Sequence, residues 1–331
     1  MKDIVVTGIK PTGILHIGNY FGAIKPTIKF TQSENNETLV FIADYHALNY
    51  IKTKQELQDY TFELACGYLA CGLDPDRVVF FKQSDVPEVF ELTSILTNVT
   101  PKGLMNRAHA YKAMTEENLA NGEDKDFGIN MGLYNYPILM AADILLYGTK
   151  YVPVGQDQKQ HCEIARDIAA SFNTRYGETF ILPECKIEED VATIVGLDGR
   201  KMSKSYGNTI QLFAEENVLK KTINRIVTDS KLPNEPKDIN SPLANIYKLF
   251  ASYEQFEEFK QKLQNGIGYG DAKKELFELA NQTLKPMREK YNYYKTHKQE
   301  VIQILNKGAE RARHIAKNVL AKVKENIGVN F

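Results

Sequence analysis

The sequence contains no tryptophan, and its four cysteines among 331 residues include no CxxC pair. That spacing argues against a zinc site and leaves reduced, partly buried thiols as the expectation. No apolar run approaches the roughly 20 residues that a membrane-spanning helix needs, and the first residues show no signal-peptide pattern. We therefore expect a cytoplasmic protein with no membrane segment and no protein-bound metal.

Charge is unevenly distributed along the chain, although the formal net charge is only −1. Residues 1–205 carry 20 Lys and Arg against 27 Asp and Glu, whereas residues 206–331 carry 21 against 15. Residues 285–324 hold 11 basic and 3 acidic side chains. Such an asymmetry can mark a surface for phosphates. On charge alone, a solvated helix face is the simpler interpretation.

Four short runs rich in β-branched or aromatic residues alternate with helical segments in the first half of the chain. They occupy residues 4–7, 39–43, 77–82 and 151–154. Helices are expected over 53–69, where Thr53 and Glu56 have capping-box spacing, over 131–147 and from about residue 157, and Pro26 should kink or divide the helical stretch that begins at Gly18. This alternation indicates an α/β fold with a parallel sheet.

Strand patterns fade after residue 210, and helical apolar spacing continues over 211–227, 241–265, 271–284 and 287–327. Polar residues 114–128 predict a mobile loop within the first half. The expected architecture is therefore a parallel-sheet domain over residues 1–210 and an α-helical domain over residues 211–331.

The segment 7–20, TGIKPTGILHIGNY, links the first predicted strand to the first helix. Ligands of open parallel sheets bind beyond the carboxyl ends of the strands, and a helix N-terminus attracts phosphate. Gly8, Gly13 and Gly18 permit a close backbone approach. His16 and Asn19 share one face of the helix start and can both donate to phosphate oxygens. A lone histidine here would more often be structural.

A second motif, KMSKS at residues 201–205, argues against a purely structural His16, because the two motifs would rarely occur together by chance. Lys201 and Lys204 are flexible point charges bordered by Gly199. When a carboxylate attacks the α-phosphate of ATP, negative charge grows toward the pyrophosphate leaving group. Ammonium groups that reach this charge mainly in the transition state lower the barrier.

The HIGN (16–19) and KMSKS motifs together resemble those of class I aminoacyl-tRNA synthetases. That resemblance implies a Rossmann-type catalytic domain over 1–210 that forms an aminoacyl-adenylate from ATP, normally with Mg²⁺. It further implies a helical tRNA anticodon-binding domain over 211–331, and a homodimer. The general class motif ends in histidine, and Asn19 at that position narrows the choice of subfamily within the class.

Longer segments resemble the tryptophanyl-tRNA synthetases over essentially the whole chain, above all YPILMAADILLY at 136–147 and VPVGQDQKQHCE at 152–163. The opening GIKPTG and GNYFGA segments and the stretches 228–230 and 308–310 fit the same family. L-tryptophan and tRNA(Trp) are then the implied substrates, in addition to ATP. Lys10 and Gln156 depart from the commonest bacterial pattern, which has Gln and Glu there.

The resemblance also implies a role for individual residues. The catalytic positions are His16, Asn19, Lys201 and Lys204. The ATP-binding positions are Lys10, Pro11, Thr12, Gly18, Asn19, Gly155, Gln156, Asp157, Ile194, Lys201, Met202, Ser203, Lys204 and Ser205. The tryptophan-binding positions are Val6, Gly8, His46, Tyr136, Met140, Asp143, Val152, Val154 and Gln158.

Asp143 makes independent chemical sense as a tryptophan contact. It shares a helical face with Tyr136 and Met140 and interrupts an otherwise apolar run. A partly buried carboxylate needs a partner, and an indole combines one N–H donor with a large apolar body. The alternative is a surface aspartate that faces water.

Three other functions compete with this interpretation. A tyrosyl-type synthetase is the nearest relative in sequence pattern. A nucleotidyltransferase that acts on a small molecule would usually lack the basic helical unit of residues 211–331. An idle paralogue that binds RNA or senses tryptophan would not need an intact His16, Lys201 and Lys204.

Overall fold

The computed structural model describes residues 2–155, 158–187 and 194–330. Its parallel strands and their connecting helices lie within residues 3–187, mostly in the first half of the chain. The strands are β1 (Asp3–Ile9), β2 (Asn36–Ile42), β3 (Val79–Lys82), β4 (Tyr151–Val154) and β5 (Glu184–Ile187). The helices of this half are α1 (Ile17–Asn19), α2 (Lys25–Thr31), α3 (Asp44–Ala47), α4 (Lys54–Ala70), α5 (Glu88–Thr97), α6 (Lys102–Met105), α7 (His109–Ala120), α8 (Met131–Leu145) and α9 (Lys159–Tyr176).

From residue 194 onward, the regular structure of the described residues is helical apart from a short 3₁₀ turn, Lys204–Tyr206, and isolated bridges. Its helices are α10 (Glu216–Asn224), α11 (Pro242–Phe250), α12 (Tyr253–Gln264), α13 (Tyr269–Thr296) and α14 (Lys298–Asn326). The expected helical character of residues 211–331 is confirmed for the described residues. No described helix is both long enough and apolar enough to cross a bilayer.

The five described strands form one parallel sheet in the order β3-β2-β1-β4-β5. The α/β, Rossmann-type fold class is thereby confirmed. The chain leaves β1 in one direction to β2 and later crosses to β4 on the other side. This reversal of strand order opens a crevice at the carboxyl ends of β1 and β4, which is where open α/β sheets bind ligands.

Two hydrophobic clusters cover the two faces of the sheet. Val6, Phe41 and Phe81 point into the cluster formed with α5, α8 and α9, while Val40 and Phe80 point into the cluster formed with α4, α11 and α13. This alternation follows the two-residue period of strands that are buried on both faces.

Helix α14 contributes to both clusters. Val301 and Leu305 belong to the α4 side, and Ala312 and Leu320 belong to the α5 side. The helix therefore crosses the edge of the sheet at β3. The domain boundary at residue 210 remains a prediction.

Most local predictions agree with the structure. Thr53 caps α4 by accepting a hydrogen bond from Glu56 N. The helical stretch from Gly18 is indeed divided, since a π-helical turn (Tyr20–Ile24) precedes α2, where Pro26 occupies the first turn. Such π-turns are often found at functional sites.

Two local predictions are wrong. The polar segment 114–128 is not simply a loop, because α7 continues to Ala120. From within α7, the buried Asn118 amide donates to Lys125 O and Phe127 O and orders the turn that follows the helix. The expectation of reduced thiols fails for Cys162 and Cys185, which form a disulfide between α9 and β5, whereas Cys66 and Cys71 are free.

Candidate active site

The first glycine of the nucleotide segment, at the end of β1, is required by packing. A Cβ atom on Gly8 would overlap the ring of Phe41 on the neighbouring strand. Only glycine lets the backbone approach β2 this closely at the carboxyl end of the sheet. At Gly8, the wall of the crevice is therefore main chain, which a ligand can approach closely.

His16 lies at the N-terminus of α1, where its own N–H donates to Asn19 Oδ1 at 3.0 Å. Burial, followed by the nearby Lys204 ammonium, lowers the pKa of His16 to about 4. The imidazole is therefore neutral at pH 7 and can donate from one nitrogen only. Its Nδ1 atom is buried and has no hydrogen-bond partner among the described residues. Gly18 leaves the space beside it, since a Cβ there would lie 2.8 Å from Nδ1.

The second motif docks directly against the first. Lys204 Nζ donates to Thr12 O at 2.8 Å, and Ile17 N donates to Ile210 O at 2.9 Å. Burial lowers the pKa of Lys204. Motifs nearly two hundred residues apart thus meet at one end of the sheet, as the sequence predicted.

A buried asparagine that sequence reasoning missed holds the KMSKS loop in shape. Asn208 Oδ1 accepts from Ser203 N at 2.8 Å, and its Nδ2 donates to Asp198 Oδ1 and Lys201 O. Met202 N donates to Ile194 O at 2.8 Å on the other side of the loop. Met202 is buried, while Lys201, Lys204 and Ser205 are exposed. The backbone of the loop is therefore held in place, while the side chains of Lys201 and Lys204 stay exposed.

A cavity of about 410 Å³ lies beside these motifs, between β1, β4 and α8. All nine predicted tryptophan-binding positions line it: Val6, Gly8, His46, Tyr136, Met140, Asp143, Val152, Val154 and Gln158. Lys10 and Gly155 of the predicted ATP set line it too. The remaining described members of that set lie outside its wall: Pro11, Thr12, Gly18, Asn19, Ile194, Lys201, Met202, Ser203, Lys204 and Ser205. The predicted Gln156 and Asp157 lie outside the described residues.

Asp143 is 2% exposed and already has partners. His46 Nε2 lies 2.9 Å from its Oδ2, and Gln83 Nε2 donates to Oδ1 at 2.9 Å and to Oδ2 at 2.7 Å. Burial raises the pKa of Asp143, and the His46 and Gln83 contacts oppose this shift. The surface-aspartate alternative is thus excluded. The motif comparison did not identify Gln83, whose only sequence signal is its place just after a predicted strand.

Tyr136 lies two turns before Asp143 on α8 and also lines the cavity. Its hydroxyl hydrogen-bonds His161 Nε2 at 2.8 Å, and burial raises the pKa of Tyr136 to about 12. The phenol therefore stays protonated at neutral pH. His161 was not among the predicted site residues, although it lies inside the VPVGQDQKQHCE segment.

Comparison with known proteins decides the family. The profile of the class I tRNA synthetases for tryptophan and tyrosine (W and Y) matches residues 2–285. The tryptophan–tRNA ligase of Neisseria meningitidis is 49% identical over 330 residues, which span 99% of this chain and 98% of the relative. The chain belongs to the class I tryptophanyl-tRNA synthetases.

Solved structures of this synthetase family agree. Tryptophanyl-tRNA synthetase from Campylobacter jejuni, complexed with ADP and tryptophan, superposes with a TM-score of 0.89 at 46% identity, covering 98% of this chain and 99% of the other. A tyrosyl-tRNA synthetase from Archaeoglobus fulgidus, 22% identical with a TM-score of 0.63, covers 88% of this chain and 90% of its own, and shares the fold. The tyrosyl alternative is therefore not favoured.

Proposed function

We propose that this synthetase activates L-tryptophan with ATP to tryptophanyl-adenylate and pyrophosphate, and then transfers tryptophan to the 3′ end of tRNA(Trp). The observation that carries the proposal is Asp143, a buried acceptor in the wall of an apolar cavity that Gly8 and Lys10 of the nucleotide segment also line. Its chemistry fits an amino acid with one N–H donor on an aromatic side chain.

Adenylate formation needs no covalent participation by the protein. A carboxylate oxygen of tryptophan attacks the α-phosphorus, and the bond to the bridging oxygen of pyrophosphate breaks. Lys10 in the cavity wall and Lys204 beside Thr12 supply positive charge on either side of this reaction. Lys201, on the exposed rim, adds to the field that the leaving pyrophosphate meets.

His16 acts as a neutral group in this scheme. Since burial holds its pKa at about 4, the imidazole brings a hydrogen-bond donor to the phosphates without adding a full charge. Asn19 fixes the start of α1, at whose N-terminus phosphate oxygens are favoured.

The proposed substrate is the Mg²⁺ complex of ATP. Among the described residues, no group of three or more His, Cys, Asp or Glu side chains gathers as a metal site. Mg²⁺ is commonly carried by phosphates with few protein ligands, so the ion belongs to the nucleotide in this proposal. Gln156 and Asp157 remain proposed ATP contacts.

For the second step we propose tRNA binding by the helical region 211–331, a homodimeric assembly and a cytoplasmic location. Exposed lysines on α13 and α14, including Lys285, Lys317 and Lys322, supply the positive charge that an RNA backbone attracts. The dimer is carried over from the family.

Exchange of labelled pyrophosphate into ATP tests the proposal. We expect exchange with tryptophan and at least about tenfold weaker exchange with tyrosine or phenylalanine. Phenylalanine has no ring donor for Asp143, and the phenol O–H of tyrosine stands at a different position on its ring from the indole N–H. Comparable exchange with tyrosine would contradict the pocket assignment, and no exchange with any amino acid would support the idle paralogue.

A further inference from the structure

Gln83 lies in the 3₁₀ turn Gln83–Asp85 that follows β3, and it is 1% exposed. Both ends of its amide are engaged. Its Oε1 accepts from Tyr45 N at 3.2 Å, and its Nε2 donates to both oxygens of Asp143. A backbone N–H can only donate, so the amide cannot rotate by half a turn without facing Tyr45 with its own donors. The nitrogen of Gln83 is therefore held toward Asp143.

This orientation determines which acceptor sites of Asp143 stay open. An ionised carboxylate offers about four lone-pair sites, two on each oxygen. Oδ2 meets both His46 Nε2 and Gln83 Nε2, whereas Oδ1 meets Gln83 alone. Among the contacts of the described residues, one acceptor site thus remains, on Oδ1. Asp143 also lines the cavity.

We propose that Gln83 is a positioning residue for amino-acid selection, which keeps Asp143 an acceptor and directs the remaining lone pair of Oδ1 at an aromatic N–H donor in the cavity. The inference rests on the proposed function and deepens it. Gln83 does not contact the substrate in this scheme; it acts through Asp143. Selection between an indole and a ring without N–H then depends on a residue outside the cavity wall.

Two substitutions separate this role from packing. Gln83→Met keeps the length of the side chain and removes all three hydrogen bonds of the amide. Gln83→Glu keeps the shape, but its acid can donate to Asp143 only while it is protonated. Two carboxylates in contact share one proton and lose it more readily as the pH rises. The glutamate variant should therefore resemble the wild type at low pH and not at high pH.

Other titratable groups around Asp143 also affect the pH dependence of the enzyme. His46 of α3 contacts Asp143 directly. The other titratable or charged side chains near it or its neighbours are Tyr136 in α8, Tyr147 just after α8, His161, Asp85 with its partner Lys82, and Glu88 with its partner Arg313. All are unchanged in both variants. The ratio of variant to wild type therefore isolates the group at position 83.

We expect Gln83→Met to raise the KM for tryptophan at least about tenfold and to lower the tryptophan-to-phenylalanine ratio of kcat/KM by a similar factor. The KM for ATP should stay within about twofold. For Gln83→Glu, kcat/KM for tryptophan relative to wild type should fall as pH rises, whereas for Gln83→Met that ratio should not change with pH. Active-site titration by adenylate burst corrects every value for the folded fraction.

Ser84→Ala is the matched control in the same turn. The Ser84 hydroxyl donates to Asp44 and has no contact with Asp143, so the tryptophan-to-phenylalanine ratio should not change. The inference is overturned if Gln83→Met lowers kcat alike for both amino acids, or if the pH profile of Gln83→Glu follows the wild type. If wild-type protein does not discriminate tryptophan in exchange, the proposed function itself fails. Should the methionine variant not fold, the fall of the Gln83→Glu to wild-type ratio of kcat/KM between low and high pH still decides.

Discussion

Asp44 and Asp143 show how two buried aspartates differ by what donates to them. Burial raises the pKa of both. Asp44 accepts from the N–H and hydroxyl of Ser84 and joins α3 to the 3₁₀ turn. Asp143 accepts from an imidazole and an amide instead and faces a cavity. The first carboxylate is enclosed by protein, whereas the second keeps an acceptor site directed at a ligand.

Removing that acceptor should change substrate preference. With Asp143→Ala we expect kcat/KM for tryptophan to fall about ten- to a hundredfold more than that for phenylalanine, since a hydrogen bond to a charged group contributes roughly 1.5–3 kcal/mol. Asp143→Asn should lose part of this selectivity, because one of its two polar atoms then donates and opposes Gln83. An equal fall for both amino acids would make Asp143 a structural residue.

Lys204→Ala should act on the rate of adenylation. Its ammonium meets charge that grows in the transition state, so kcat for exchange should fall at least about a hundredfold while the KM for tryptophan changes little. Lys150→Ala is a suitable control, because Lys150 pairs with Asp3 at the opposite end of the sheet. A higher tryptophan KM with an unchanged kcat would contradict the assigned role.

Sequence motifs predicted those site residues that lie within the recognised segments, and not the residues that support them from elsewhere. The tryptophan set lies on or beside β1, α3, α8 and β4, and all of its members line the cavity. Gln83, His161 and Asn208 were missed because their value lies in a hydrogen bond to a partner elsewhere in the chain: Gln83 is 60 residues from Asp143. A lone polar residue after a strand does not reveal such a partner.

At the scale of elements, the crossing of α14 over β3 depends on one glycine. A Cβ atom on Gly308 would collide with the main chain of Phe80, which cannot move aside as a side chain can. Three residues further along α14, Arg311 Nη1 donates to Val78 O at 3.1 Å. The helix thus covers the edge strand, which would otherwise present unpaired backbone groups.

Gly308→Ala should therefore destabilise the protein by about 1–3 kcal/mol or more, as overpacking does. Gly270→Ala is the control: it lies in α13, and a Cβ atom added there would meet nothing within 4 Å, so alanine should leave stability unchanged or raise it by up to about 1 kcal/mol. Urea unfolding measures both. Equal stabilities would show that α14 can shift away from β3.

Element boundaries were predictable where local signals agreed and not where tertiary packing overrode them. The strand at 151–154 agrees with β4, because β-branched residues and flanking turns mark it. The helical spacing predicted separate segments over 271–284 and 287–327, yet α13 continues through Pro286 to Thr296. Leu284 and Arg288, buried on either side of Pro286, hold that helix against the core. β5 was not predicted at all.

For the whole molecule, part of the positive charge of the C-terminal region is structural. Arg313 makes a bidentate contact with the buried Glu88 of α5, and Arg311 lies 3.9 Å from Glu37. Arg288 is itself buried and donates to Asn281. Arg311 and Arg313 thus join α14 to other elements, whereas the Arg288 contact lies within α13, so part of this charge run has structural partners.

Removing charges should separate the structural role of Arg313 from the proposed contact of the lysines with RNA. Arg313→Gln should lower the free energy of unfolding by roughly 1–3 kcal/mol, since Glu88 keeps its burial and loses its cation. Lys317→Gln with Lys322→Gln should leave stability unchanged but weaken tRNA binding and reduce its salt dependence by about two ions. Unaltered tRNA affinity in the double variant would return these lysines to a solvated helix face.

The crossing of α14 over β3 also bears on synthesis. The ribosome makes the strands of the sheet before it makes α14, the helix that covers the sheet edge. Until α14 has been translated, a nascent chain carries both nucleotide motifs beside an uncovered strand edge, the surface by which sheets recruit foreign strands. Messages truncated before codon 298 should therefore yield aggregation-prone products, because both motifs are then made without the helix that covers the sheet edge.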